Sequence, residues 1–164
     1  LPIEKMIRSV FRFRAELCSS RTQHFVNTLK TANNPISLHI RRGDYLSIER
    51  TQTFGLEYYE AAVKLLRTKY AGGEIFVFSD DVEWVKSNLH CEDMTFVDWN
   101  TGADSWQDMY IMSQCKYNII ANSTFSWWGA WLNNTPDKIV VAPKQWMKEE
   151  TNKSDIIPET WIRL

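Results

Sequence analysis

The chain has 164 residues, with 19 Lys and Arg against 20 Asp and Glu and a formal charge of −1. That balance removes the basic footprint with which nucleic-acid binders neutralise phosphates. A composition of 44% hydrophobic and 24% charged residues excludes collagen-like, disordered and disulfide-scaffold classes. One domain is expected, large enough to bury roughly 70% of its unfolded surface. No run approaches the about 18 apolar residues of a membrane span, and the N-terminus lacks a signal-peptide core. Cys18, Cys91 and Cys115 are widely spaced without a C-x-x-C pattern, which predicts free thiols in a reducing compartment. Leu1 in place of Met points to a processed chain or an excised piece.

The first thirty residues have helical periodicity, with Ile3, Met6, Ile7, Val10, Phe11 and Leu17, then Phe25, Val26 and Leu29, at three-to-four spacing. Ser19-Ser20 divides them into two helices. The arginines between these positions are expected on the solvated face of a core-packed helix, the alternative being a basic amphipathic surface for an anionic membrane. Asn33-Asn34-Pro35 marks a turn, after which Ile36–Ile40 is a short apolar strand. Residues 43–55 form a loop and Leu56–Tyr70 a helix ended by Gly72-Gly73. There follow a strand at Glu74–Phe78, a helix at Val82–Leu89, a strand at Met94–Val97 and a helix at Ser105–Ser113. Tyr117–Ala121 is a strand, Thr124–Asn133 a helix and Ile139–Ala142 a last strand. Continuous apolar strands alternating with helices predict an α/β fold, a doubly wound Rossmann-like parallel sheet covered on both faces. Ligands of such sheets bind beyond the carboxyl ends of the strands.

Four polar clusters stand at those ends. In His39-Ile-Arg-Arg-Gly-Asp44, strand alternation puts His39 and Arg41 on one face and Arg42 on the other. The guanidinium fork suits phosphate oxygens, so a diphosphate cradle with Asp44 orienting an arginine is the functional reading. In Asn122-Ser123-Thr124-Phe125, a strand runs into a helix whose N-cap is Ser123, and the free N–H groups there suit an anion. Trp127, Trp128 and Trp131 are expected in the core. Asp80 and Glu83 have capping-box spacing, and capping alone explains them; a ligand role for Asp80 stays open. Asp108, near a helix start, either favours the dipole or points into the pocket.

No G-x-x-x-x-G-K-[ST] or G-x-G-x-x-G segment is present, so P-loop and dinucleotide chemistries are unsupported. His24, His39 and His90 lack zinc spacing, and Asp98-Trp99-Asn100 is only a weak approach to a divalent-ion pair. Asn122-Ser-Thr, Asn133-Asn-Thr and Asn152-Lys-Ser match glycosylation sequons; the first falls in the site and is expected unmodified.

The blocks His39–Tyr45, Phe76–Asp81 and Met112–Trp131, in this order and spacing, resemble the α-1,2-fucosyltransferases of glycosyltransferase family eleven, and the resemblance runs from about Ile36 to the end. It implies inverting transfer of L-fucose from GDP-β-L-fucose to a galactose 2-hydroxyl of a glycan, with no metal or other cofactor, on a two-domain GT-B architecture of which this chain is the nucleotide-sugar-binding half. Carried over, Arg41 holds the β-phosphate, His39 and Arg42 flank the nucleotide, and Asp44 supports them. Ser123 and Thr124 meet phosphate, with Asn122 and Phe125 beside them, and Asp108 reads the guanine edge. The catalytic base is unassigned, with Asp44 and Glu49 as the acidic residues near the arginines.

The family's Gly-Arg-x-Gly-Asn-Gln motif and the acceptor-side domain that carries it have no match here. The expectation is therefore a donor-binding domain, residues 1–164, of a longer bacterial cytoplasmic enzyme with at most peripheral contact with the inner membrane. Such a piece binds GDP-fucose and transfers nothing alone. The competing readings are a non-catalytic carbohydrate- or nucleotide-binding module, with tryptophans as a sugar platform, and a metal-dependent sugar-nucleotide transferase.

Overall fold

Five consecutive buried residues, Ile36–Ile40 (β1), form the centre of the molecule. A strand buried on both faces has no room for polar alternation, which is why this one is a continuous apolar run broken only by Ser37 and His39. A computed structural model of the chain describes residues 2–49, 53–148 and 155–164. The other strands are Ile75–Ser79 (β2), Met94–Phe96 (β3), Tyr117–Ile119 (β4), Ile139–Ala142 (β5) and Ile162–Arg163 (β6). The helices are Pro2–Val10 (α1), Ser20–Leu29 (α2), Leu56–Tyr70 (α3), Val82–Asn88 (α4), Trp106–Gln114 (α5) and Thr124–Leu132 (α6). Short 3-10 turns lie at Ala15–Leu17, Asp44–Leu46 and Gly102–Asp104.

All six strands are parallel, in the order β3-β2-β1-β4-β5-β6. The chain builds outward from β1 to β3, crosses back, and builds outward again from β4. This is the doubly wound order, and its reversal leaves a crevice between the carboxyl ends of β1 and β4. Ile36, Leu38, Ile40, Ile75 and Val77 face α3 and α4, burying Tyr59, Ala62, Leu66 and Val85. Phe76 and Phe78 face α2 and α5 with Val26, Leu29, Ile111 and Met112. The α6 side packs Trp127 and Trp131 on Ile120, Val140, Trp146 and Trp161.

Two sequence expectations are corrected. The first helix stops at Val10, and the break runs from Phe11 to Cys18, upstream of Ser19, because the Ser19 hydroxyl caps α2 by accepting from Thr22 N–H at 3.2 Å. The apolar positions of α1 are not in the core either: Ile3, Met6, Val10 and Phe11 are more than half exposed. The helix is held instead by its polar edge, with the Arg8 guanidinium 4.1 Å over the Trp131 ring and donating to Asn134. The last strand, β6, is too short to show periodicity. Its pairing with β5 through Val141 and Ala142 is a tertiary event.

The three tryptophans expected in the core are only half-buried: Trp127 and Trp131 stack at 5.9 Å against the edge of the cluster that holds Trp161, while Trp128 lies outside it and stacks on the exposed Phe11 at 5.0 Å. All three cysteines are free. Asn122 and Asn133 are buried, so neither of their sequons presents an accessible amide; the sequon at Asn152 lies outside the described residues. Among the described residues, no helix is long and apolar enough to cross a membrane.

Candidate functional site

At the end of β1 the alternation of strand side chains separates two arginines adjacent in sequence. His39 and Arg41 point to the α5–α6 side and line the crevice. Arg42 turns to the other side, where its guanidinium lies 3.4 Å over the Trp84 ring and its Nε donates to Asp81 at 3.3 Å. Arg42 therefore does not line the cavity, contrary to its expected place beside the nucleotide. Arg41 donates from one Nη to Asp44 at 2.6 Å and pairs through the other with Asp80 at 3.2 Å, two carboxylates that hold its fork in a fixed plane.

Asp80 does not close the capping box anticipated with Glu83. Its carboxylate accepts from the Arg42 backbone N–H at 2.9 Å as well as pairing with Arg41, while Asp81 caps α4 by accepting from Trp84 N–H. Glu83 pairs with Lys86. Gly43 makes this possible, since a Cβ there would overlap the Asp80 carboxylate. Asp44 opens the 3-10 turn Asp44–Leu46, half exposed, and Glu49 lies exposed further along the same loop.

His39 is 5% exposed, with its ring 5.7 Å from that of Phe125. Burial, aided by the Arg41 charge, pushes its pKa down to about 3, so the imidazole is neutral near pH 7. Among the described residues, its Nδ1 has no hydrogen-bond partner. A buried orphan polar atom is costly, and this one belongs to a ring that forms part of the crevice wall.

From the other side of the reversal come β4 and α6. The register pairs Leu38 with Ile119, so continuing it sets Arg41 beside Asn122. The Asn122 side-chain amide donates to the Trp146 carbonyl at 2.9 Å, and the Asn122 backbone carbonyl accepts from the Tyr45 hydroxyl at 3.2 Å. Asn122 thus ties the β1 loop to the α6 loop and does not line the cavity. Ser123 is the N-cap by position, but its side chain makes no capping bond, which leaves the first-turn N–H groups of α6 without the acceptor expected of it. The Ser123 carbonyl starts the helix by accepting from Trp127 N–H. Ser123 is buried and Thr124 exposed; of this run, only Phe125 lines the cavity.

Asp108 stands in the first turn of α5 and forms the far wall of the same cavity. Its Oδ1 accepts from Asn100 Nδ2 at 2.7 Å. Burial, with a contribution from the Asp98 charge, lifts its pKa to about 7 against the opposing Asn100 hydrogen bond. The cavity encloses about 620 Å³, within the usual size of small-ligand sites. His39, Arg41, Asp80, Asp108 and Phe125 meet there. Asn100, which the sequence did not single out for this site, also lines it; it stands outside the three blocks, and only folding brings it near. Among the described residues, no group of three or more His, Cys, Asp or Glu side chains is placed to hold a metal ion.

The model of the family described as Glycosyl transferase family 11 matches residues 3–164. The chain belongs to that family. It is 44% identical over 136 residues to the O-antigen biosynthesis glycosyltransferase WbnK of Escherichia coli, covering 80% of this chain and 45% of the relative. It is 43% identical over 141 residues to an alpha-1,2-colitosyltransferase of Escherichia coli, covering 80% and 48%. Identity to galactoside alpha-(1,2)-fucosyltransferase 1 of Homo sapiens is 30% over 112 residues, covering 63% and 31%. The family 11 chain thus spans less than half the length of these curated relatives. The solved structure of the fucosyltransferase NodZ from Bradyrhizobium overlaps 68% of this chain and 41% of its own at 18% identity, with a TM-score of 0.48. The strand order, not this overlap, fixes the fold.

Proposed function

We propose that this family 11 chain is the donor-binding domain of an inverting, metal-independent fucosyltransferase that moves L-fucose from GDP-β-L-fucose to the 2-hydroxyl of a galactose-terminated glycan. The supporting observation is that Arg41, at the end of β1, and the uncapped first turn of α6, at the end of β4, flank the switch point of the sheet beside one cavity. Cleavage of the fucose–phosphate bond leaves an oxocarbenium-like sugar and an added negative charge on GDP. Donors fixed in advance toward that charge are the largest catalytic contribution available to such a site. Arg41 supplies a fork of N–H donors, and α6 supplies backbone N–H groups at the positive end of a helix dipole. In this reading His39, neutral, borders the nucleotide, Asp44 and Asp80 orient Arg41, and Asp108 accepts from guanine.

Calorimetry of the chain with GDP and with free galactosides tests this. GDP is expected to bind, with or without a chelator, and galactosides are not. Galactoside binding without GDP binding would instead identify a carbohydrate-binding module, and loss of GDP binding on chelation a metal-dependent transferase. A second reading of the transferred sugar is colitosyl, favoured by 43% identity to the colitosyltransferase against 30% to the human fucosyltransferase. Competition between the two sugar donors for the GDP site decides between them.

A further inference from the structure

We propose that Asn100 is a positioning residue that aims the Asp108 carboxylate at the purine of the bound nucleotide, and that Thr22, reaching across from α2, holds Asn100 in turn. This rests on Asp108 reading guanine, as proposed above. The arrangement is directional. Trp99 Nε1 can only donate, and it lies 3.3 Å from the Thr22 hydroxyl oxygen. The Ser19 hydroxyl donates to the same oxygen at 3.2 Å. With those donors facing it, the hydroxyl's single proton is committed to Asn100 Oδ1 at 3.1 Å. That in turn fixes which end of the Asn100 amide points to Asp108, and the amide donates to Asp108 Oδ1 at 2.7 Å. Thr22 is fully buried and Asn100 is 8% exposed, so water does not substitute readily for either. Further along, the Ser19 backbone N–H donates to Gln107 Oε1 at 2.8 Å, locking the start of α2 to the start of α5.

The consequence at the cavity wall is an acceptor of fixed orientation. Guanine presents N1–H and a 2-amino group as adjacent donors, which a carboxylate accepts as a pair. Adenine presents a bare N1 acceptor and no 2-amino group, so the relay selects guanine. The charged group acting on Asp108 is Asp98, on the same loop as Asn100; on α2, packed against that loop, Arg21 stacks over Trp99. Across the cavity stand neutral His39, Arg41, Asp80, Asp81 and Glu83.

The test is calorimetry of the whole chain with GDP and ADP across pH for Asp108→Asn, Asn100→Ala, Thr22→Val and Thr22→Ser. Asn100→Ala and Thr22→Val are each expected to weaken GDP binding at least fivefold while leaving ADP binding unchanged, and Thr22→Ser, which keeps the hydroxyl, to restore it. Wild-type GDP binding is expected to fall as pH drops through about 7, where Asp108 takes up its proton. In Asn100→Ala this midpoint moves upward, because an amide donor that favours the carboxylate is gone. Adding Asn100→Ala to Asp108→Asn is expected to cause no further loss of GDP selectivity. Equal weakening of GDP and ADP with an unmoved midpoint would overturn the inference, as would full selectivity in both Asn100→Ala and Thr22→Val. If Asp108→Asn itself keeps the preference for GDP, the guanine reading has failed instead.

Discussion

Arg41 and Arg42 are neighbours in sequence and serve opposite sides of a sheet. Arg42 is consumed by Trp84 and Asp81, so it anchors the loop to α4. Arg41 is fixed by Asp44 and Asp80 at the cavity, with its remaining donor capacity directed along one plane. Asp44 is half exposed, whereas Asp80 is more buried and also accepts from the Arg42 backbone N–H. A charge-assisted hydrogen bond contributes about 1.5–3 kcal/mol, so Arg41→Ala is expected to weaken GDP binding tens- to hundred-fold by calorimetry. Arg41→Lys is expected not to restore it, because the fork is lost. Unchanged GDP affinity in Arg41→Ala would remove the phosphate assignment. The separation of the two arginines was legible in the sequence, since alternation follows from the pleat alone. The partners of each were not, because Trp84 and Asp80 arrive from another strand–helix unit.

Among the elements, α6 has a start without a side-chain cap and a tightly capped finish. At its C-terminal end the Lys138 ammonium donates to the carbonyls of Ala130, Trp131 and Asn133 at 2.6–3.2 Å, satisfying acceptors that a helix end leaves orphaned. Asn133 next to it donates to Cys115 O and Asn118 Oδ1, and Asn118 donates to Ser37 Oγ, so a buried polar ladder joins α6 to β4 and β1. Replacing Lys138 by Met leaves those carbonyls without their donor and is expected to destabilise the fold by about 1–3 kcal/mol in urea unfolding. A change within about 0.5 kcal/mol, the range of ordinary surface substitutions, would mean that the cap contributes nothing. The sequence announced where α6 starts and ends to within a residue. Nothing in it indicated that a lysine six residues beyond Leu132 folds back as its cap. The same limit applies to α1, whose periodicity was plain and whose apolar stripe nonetheless faces solvent. Periodicity reports that a face exists, while packing decides what covers it.

Over the whole molecule, two titratable groups at one cavity, buried His39 and half-buried Asp108, pull stability in opposite directions with pH. His39 is driven down to about 3 from its ordinary 6.5, so between those values the unfolded chain binds more protons and acid removes stability. Asp108 is driven up to about 7 from 3.8, so in that range the folded chain binds more protons and acid adds stability. Each contributes a slope of up to about 1.4 kcal/mol per pH unit, and between pH 3.8 and 6.5 the slopes oppose each other. Asp108→Asn removes one of them. Its unfolding free energy is expected to fall more steeply than wild type as the pH drops from 6.5 toward 4, measured by denaturant titration at each pH. Parallel pH profiles for the two proteins would show that Asp108 is not a raised carboxyl in the folded state.

By itself the sequence determined the parallel doubly wound sheet, the position of nearly every strand and helix, and the polar clusters that stand at the strand ends. Buried strands and helix faces write their periods directly into the order of residues. It did not determine β6, the exposed stripe of α1, the change of cap from Asp80 to Asp81, or the relay from Thr22 through Asn100 to Asp108. Each of these depends on side chains separated along the chain by more than one element, or on a competition between partners that exists only once the chain has packed. Tertiary structure alone decided them, because hydrogen bonding and burial act on distance in space, while local propensity acts on distance in sequence.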